Sequence, residues 1–345
     1  MNIALDSTYS LDPDLSGVGV YSRHILFGLA RFQPEQSFLF CYRPHRFLGS
    51  LKEKLPGNVS RALLRNGGIG PWRGELFHAL NQRIDAKPCG RTVSTFHDLF
   101  VLTDEFSSAE FRRRFAEQAR AAAARSDLIV AVSQFTADQV RDLLKVEPAR
   151  IRVVHHGATI PAATAAGDGE RENTILHVGA IQKRKNIARL VEAFEQMPDG
   201  WRLVLAGSAG YGADEILARI ERSTKREAID RLGYVDAGRL ESLYARARIF
   251  AFPSLAEGFG MPLIDAMARG VPAMASSQAA LREVGGDAAL YANAESVDSI
   301  ADQLRRLIDS VELRNELRRA GLIRSAAFTW DSAVERTWRV YEELL

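Results

Sequence analysis

Glu257-Gly-Phe-Gly-Met-Pro-Leu-Ile-Asp265, running on through Ala266-Met-Ala-Arg-Gly270-Val-Pro272, decides how this chain is read. It follows Ala247-Arg-Ile-Phe-Ala-Phe-Pro253, an apolar run with the character of a buried strand. Gly258 and Gly260 let the backbone turn sharply and approach a ligand with no Cβ in the way. Pro262 suits the start of a helix, and Gly270 followed by Pro272 marks its end. The reading is strand, glycine-rich turn, helix, with an acid on either side of the helix start. Free N–H groups and a positive dipole end suit a phosphate or diphosphate there, and the acids suit sugar or ribose hydroxyls.

Upstream, Gly179-Ala-Ile-Gln-Lys183-Arg184-Lys185-Asn186 sets three cations just past a strand and before a helix. Ligands of open α/β sheets gather beyond the carboxyl ends of strands. Arg offers a two-pronged fit to phosphate oxygens and Lys a point charge. Near the N-terminus, Ser16-Gly17-Val-Gly19 reads as a turn after the first strand, leading into a helix to about Arg31. Ser22 stands where the third glycine of a dinucleotide fingerprint belongs, so that reading is weak. His97-Asp98 follows the strand Thr92–Phe96.

Apolar runs alternate with helical patterns through both halves, as in parallel sheets with crossover helices. At 345 residues the chain exceeds one comfortable core. Ala162–Gly169, small and without periodicity, is the best linker, which gives domains at 1–165 and 166–329 and a last helix at about 330–345. Residues 43–73 are rich in Arg, Gly and Pro and read as mobile loops.

Apolar residues make up 46% and charged residues 26%, as in a soluble globular protein. No apolar run is long enough to cross a bilayer, no signal peptide is expected because Met1–Asp6 lacks a basic start and a small-residue cleavage site, and the only cysteines, Cys41 and Cys89, lack metal-ligand spacing. The setting expected is cytoplasmic. Residues 1–165 carry 21 Lys and Arg against 16 Asp and Glu, an excess suited to an anionic acceptor or the inner membrane surface. The basic residues are dispersed and form no nucleic-acid module, so nucleic acid is not an expected partner.

The Glu257 stretch resembles the E-x7-E signature of the retaining glycosyltransferases of family 4, the mannosyltransferase-like group 1 enzymes. The resemblance spans nearly the whole chain. It takes in Arg184-Lys185, His97-Asp98, Gly207-Ser208, Gly233-Tyr-Val235, Phe252-Pro-Ser254 and Phe328-Thr-Trp330. It implies the GT-B fold, two Rossmann-like doubly wound α/β domains facing each other across a cleft, with the last helix packed back on the N-terminal, acceptor-side domain.

The resemblance implies transfer of a hexosyl group, with retention, from GDP-mannose or a UDP-hexose to a hydroxyl of a glycan or lipid-linked acceptor. It implies that Glu257 and His97 act on the donor sugar and that Asp265, where the family usually has Glu, binds the ribose. Gly17, Gly19, Asp98, Arg184, Lys185, Gly207, Val235, Gly258, Phe259, Gly260, Met261 and Leu263 complete the donor site it implies. Ala180 departs from family members with Arg at that position. No cofactor or metal is expected, since no D-x-D run stands where a divalent ion would sit; cations and amides would meet the departing diphosphate. The alternatives are a sugar-nucleotide epimerase or a phosphorylase on the same fold, or a sugar-nucleotide-binding protein without transfer activity.

Overall fold

Seven strands form one parallel sheet: β1 (Asn2–Asp6), β2 (Ser37–Tyr42), β3 (Val59–Leu63), β4 (Leu76–Ala79), β5 (Arg91–Phe96), β6 (Leu128–Ala131) and β7 (Ile151–Val153). Their order is β3-β2-β1-β4-β5-β6-β7, with Leu5 opposite both Phe40 and His78. Six more form a second parallel sheet: β8 (Glu172–Val178), β9 (Arg202–Ala206), β10 (Ile229–Gly233), β11 (Ala247–Phe252), β12 (Ala273–Ser276) and β13 (Ala289–Ala292). Their order is β10-β9-β8-β11-β12-β13. The structure, a computed structural model, describes residues 2–11, 15–65, 68–69, 74–85, 90–103, 106–159 and 167–345.

The chain divides into two compact units, Met1–Gly157 with Thr329–Leu345, and Ala158–Phe328. In each, central strands such as β6, β9 and β11 are buried almost throughout, so they read as continuous apolar runs rather than alternating ones. Phe77, Phe96 and Ile129 pack with Phe115 and Ala119 of helix Ala109–Arg125 in the first core. Ile175, Leu205 and Ile249 pack with Phe194 and Leu304 in the second. Side-chain caps fix the helix starts: Ser16 accepts from Gly19 N and Ser133 from Thr136 N.

Helix Gly17–Phe32 therefore begins at Gly17 itself, and the Gly17-Val-Gly19 expected in a turn lies in its first turn. The terminal helix Trp330–Glu342, capped by Thr329, belongs to the first unit. Trp330 stacks on His24 at 4.2 Å, and Tyr341 Oη meets His78 Nδ1 at 2.6 Å.

One loop expectation is corrected. Within 43–73 the described residues hold helix Pro44–Ser50 and strand β3, while 66–67 and 70–73 lie outside the described residues. Pro44 starts that helix with no N–H to lose, and β3 is an edge strand with a weak apolar pattern. Of the linker, 162–166 lie outside the described residues, as does Cys89. Its end is anchored: Arg314 grips Asp168 through Nε at 2.6 Å and Nη2 at 2.8 Å. Helix Ala279–Gly285 and β13 are additional elements.

Candidate functional site

The strand order of the second unit reverses between β8 and β11, and the polar residues leaving those two strands meet. After β8, Gly179 and Gly207 cross so closely that a Cβ on Gly207 would lie 2.0 Å from Gly179 O. Gly207 also has φ +155°, so no other residue fits without strain. The chain then coils as the short turn Lys183–Lys185. Asn186, in the left-handed region at φ +59°, ends it and ties it down by donating to Pro253 O (3.0 Å) and Ala294 O (2.7 Å).

The turn delivers two of its three cations to one carboxylate. Lys185 Nζ lies 2.5 Å from Glu257 Oε1, and Arg184 Nη1 lies 3.0 Å from Glu257 Oε2 and 2.7 Å from Ala256 O. Lys185 also rides over the Phe252 ring at 4.7 Å. Lys183 turns away to Glu215 at 2.9 Å. Burial pushes the Glu257 carboxyl up, but the Lys185 ammonium and the Arg184 guanidinium outweigh it and hold the group at about 2. Glu257 is an anion throughout the physiological range.

Beyond Glu257 the backbone turns at Gly260, φ +97°, where a Cβ would strike Leu281 at 2.4 Å. Helix Met261–Ala268 begins there. Pro262 has no N–H, and the Leu263 amide, expected to face a diphosphate, donates to Gly260 O at 2.9 Å in the first helical turn. The amides that this helix start offers are those of Gly260 and Met261. The Phe259 ring is buried against Phe328, 5.8 Å between centroids. Asp265, one turn into the helix, accepts from Thr159 N at 3.1 Å and lies 3.5 Å from Arg269. Burial pushes its carboxyl up to about 6 against the pull of Arg269. Gly207 and Val235 follow β9 and β10 at the same sheet edge.

One residue of this site went unread in the sequence. His177 near the end of β8 is fully buried, and its Nδ1 lies 2.9 Å from Ala251 O. A carbonyl only accepts, so Nδ1 carries the proton and Nε2 the lone pair. Its ring stacks on Phe252, and a Cβ on Gly179 would stand 3.4 Å from Nε2. Its only sequence signal was a polar residue inside the apolar run Thr174–Val178.

The first unit carries Gly17, Gly19, His97 and Asp98. His97 follows β5 and is 8% exposed, its ring edge-on to Tyr21 at 4.8 Å and stacked on His156 at 5.4 Å. Burial lowers it to about 4, so it is neutral at pH 7. Its Nε2 donates to Leu80 O at 2.9 Å, which makes Nδ1 a hydrogen-bond acceptor. Beneath it, the Tyr21 and Thr95 hydroxyls are 2.9 Å apart and Thr95 Oγ1 is 2.8 Å from His78 Nε2. Among the described residues no group of three His, Cys, Asp or Glu is arranged to hold a metal ion, and no helix is long and apolar enough to cross a membrane.

Residues 164–323 match the model of the glycosyl transferases group 1, and residues 73–160 that of glycosyltransferase family 4. The O-antigen chain mannosyltransferase B of Escherichia coli is 31% identical over 269 residues, 74% of this chain and 71% of that enzyme. The chain belongs to the group 1, family 4 glycosyltransferases. It spans smaller parts of other relatives, 34% and 50% of two of them. Among solved structures it resembles sucrose-phosphate synthase from Thermosynechococcus elongatus, with a TM-score of 0.81 at 19% identity over 100% of this chain and 99% of that one. It also resembles Anabaena HepE in complex with UDP and glucose, with a TM-score of 0.76 at 17% identity over 99% and 100%. These likenesses identify the fold of this glycosyltransferase as GT-B.

Proposed function

We propose that this glycosyltransferase moves a hexosyl group from a nucleotide-diphosphate sugar to a hydroxyl of a glycan or lipid-linked acceptor, with retention at the anomeric carbon. The observation that carries the reading is the convergence of Arg184 and Lys185 on Glu257 at the strand-order reversal of the second unit. Two cations against one carboxylate leave a net positive site, buried enough for its charge to act strongly on a departing diphosphate. The amides of Gly260 and Met261 add donors at the helix start. Glu257, released from the cations as the diphosphate takes its place, accepts hydrogen bonds from sugar hydroxyls and orients the ring. Neutral His97 adds an acceptor at Nδ1. Asp265 and Val235 serve the nucleoside, and Gly17, Gly19 and Asp98 shape the sugar side.

Mannose is the sugar favoured by the name of the Escherichia coli mannosyltransferase, and a UDP-hexose the donor favoured by the UDP and glucose bound to HepE. No metal is invoked: the cations and amides carry the charge. Contact with the cytoplasmic membrane face belongs to the same reading, supported by exposed Leu48 and Leu51 beside Lys52 and Lys54.

The test is thermal shift with GDP, UDP, ADP and their sugar conjugates, with and without magnesium, followed by NMR of the product anomer. A selective rise for one nucleotide without metal, and an axial product from an axial donor, are the expected results. No response to any nucleotide overturns the donor site. An inverted product overturns retention.

A further inference from the structure

The second unit keeps one buried polar atom beside Lys185 that the proposed chemistry does not use. His177, fully buried near the end of β8, has its ring stacked on Phe252, 5.7 Å between centroids. Its Nδ1–H is spent on Ala251 O at 2.9 Å. That leaves a lone pair on Nε2, and Nε2 has no hydrogen-bond partner among the described residues. Burial lowers the ring to about 4, so at pH 7 the lone pair carries no proton. A Phe or Leu would fill the same space without an unmet acceptor, so filling space does not account for a histidine here.

Lys185 runs past that nitrogen. A Cβ on Gly179 would stand 3.4 Å from Nε2 and 3.4 Å from Lys185 Cε, with Lys185 Cδ at 3.7 Å. Any side chain at 179 would enter the gap between the ring nitrogen and the lysine stem, and glycine keeps it clear. Both side chains also lie against Phe252, with Lys185 Nζ 4.7 Å from the centre of that ring. The next residue, Asn186, is tied to Pro253 O and Ala294 O, so the lysine reaches from a fixed root. In the free enzyme its ammonium, itself buried, pairs with Glu257 Oε1 at 2.5 Å.

An ammonium has three N–H groups, and each one turned toward a buried wall needs an acceptor. When a diphosphate displaces Glu257, the acceptor that Glu257 supplied is withdrawn. We infer that Lys185 Nζ then donates to His177 Nε2, which makes His177 a positioning residue: it holds the ammonium over the Phe252 ring and leaves the other two N–H groups to the diphosphate. This rests on the displacement step of the hexosyl-transfer reading above. The stem need not relocate, because Cδ and Cε already lie beside the gap, and only the terminal torsions change. A neutral imidazole suits the task where a second carboxylate would not. It holds the lysine without cancelling the charge that the diphosphate requires.

Nitrogen-15 NMR of the full chain, labelled at histidine, tests this, with the His177 signal assigned by its loss in His177→Gln or His177→Phe. In the free wild type, Nε2 is expected at the low-field position of an unprotonated ring nitrogen that accepts no hydrogen bond. It is expected to move upfield when GDP or UDP binds, and to stand upfield already in Glu257→Gln with no nucleotide present. An Nε2 that stays at low field in both states, or that is upfield in the free wild type, overturns the inference. If neither nucleotide binds, the donor reading fails, and the Glu257→Gln spectrum still decides whether Lys185 turns to His177. Calorimetry adds a second readout. His177→Phe keeps a ring on Phe252 and removes the lone pair, and is expected to weaken the nucleoside diphosphate roughly tenfold. His177→Gln keeps an acceptor and is expected to recover most of that loss. Equal affinities in the two folded variants would reduce His177 to filling space.

Discussion

Lys185 Nζ lies 2.5 Å from Glu257 Oε1, in a pair whose side chains are 9% and 8% exposed. The charges that suit a donor diphosphate are thus already occupied by the protein's own carboxylate. Binding of a nucleotide diphosphate is an exchange, in which the ligand must displace Glu257 from Lys185 and Arg184. Glu257→Gln removes the competitor and keeps the shape. Titration calorimetry is expected to show the free nucleoside diphosphate binding about tenfold tighter to this variant, about 1.4 kcal/mol. Transfer is expected to fall by roughly a hundredfold or more. Unchanged diphosphate affinity would mean that Glu257 and the ligand do not compete.

The same pair predicts a non-additive stability pattern. Lys185→Met alone leaves a buried carboxylate with Arg184 as its remaining charged partner. The cost expected is about 3–5 kcal/mol. Adding Glu257→Gln removes the stranded charge and is expected to restore most of that loss. Urea denaturation of the two single variants and the double variant reads the coupling, and additive effects would rule it out. Loss of activity in Lys185→Met is therefore informative only beside its folding data.

Stability is expected to fall on mild acidification because several histidines are buried neutral. Burial holds His78 at about 3 and His97 and His177 at about 4, all below the ordinary value near 6.5. Below about pH 6.5 the unfolded chain takes up these protons and the folded chain does not until near 4, so stability is lost as pH falls through that window. Each group contributes about 1.4 kcal/mol per pH unit there. Glu257, depressed to about 2, adds its own loss only below about 4.5. The urea midpoint is expected to drop steadily from about pH 6.5 to pH 5, and less steeply in His78→Gln. A flat midpoint over that range contradicts the buried neutral histidines.

How much of this was legible in the sequence follows from sequence distance and burial. β1, β8, β9 and β11 were plain because strands covered on both faces are continuous apolar runs. β3, at a sheet edge, carries no such run, and the apolar run of β13 is only four residues long. The Glu257 stretch announced a strand, a turn and a helix through Gly260 and Pro262, and the structure has them. Its engagement by Lys185, 72 residues away, was not readable, because pattern reports local conformation and not which distant charge arrives. Nor was the tie from Asp265 to Thr159, 106 residues apart. The spent Leu263 amide escaped for a different reason: it depends on how tightly the first helical turn closes on Gly260.

Helix Pro44–Ser50 and the turn after it present apolar and basic side chains to solvent. Leu48 is 76% exposed and Leu51 59%, with Lys52 and Lys54 exposed next to them. Two leucines in water beside two lysines match a bilayer surface that is apolar within and anionic at its face. In co-sedimentation the full chain is expected to bind vesicles containing phosphatidylglycerol and to leave them as salt rises. Leu48→Glu with Leu51→Glu is expected to abolish binding without changing transfer to a water-soluble acceptor, since both side chains are exposed and neither packs in the core. Vesicle binding that survives the double substitution assigns the contact elsewhere. Binding to neutral phosphatidylcholine alone would mean that the lysines have no part in it.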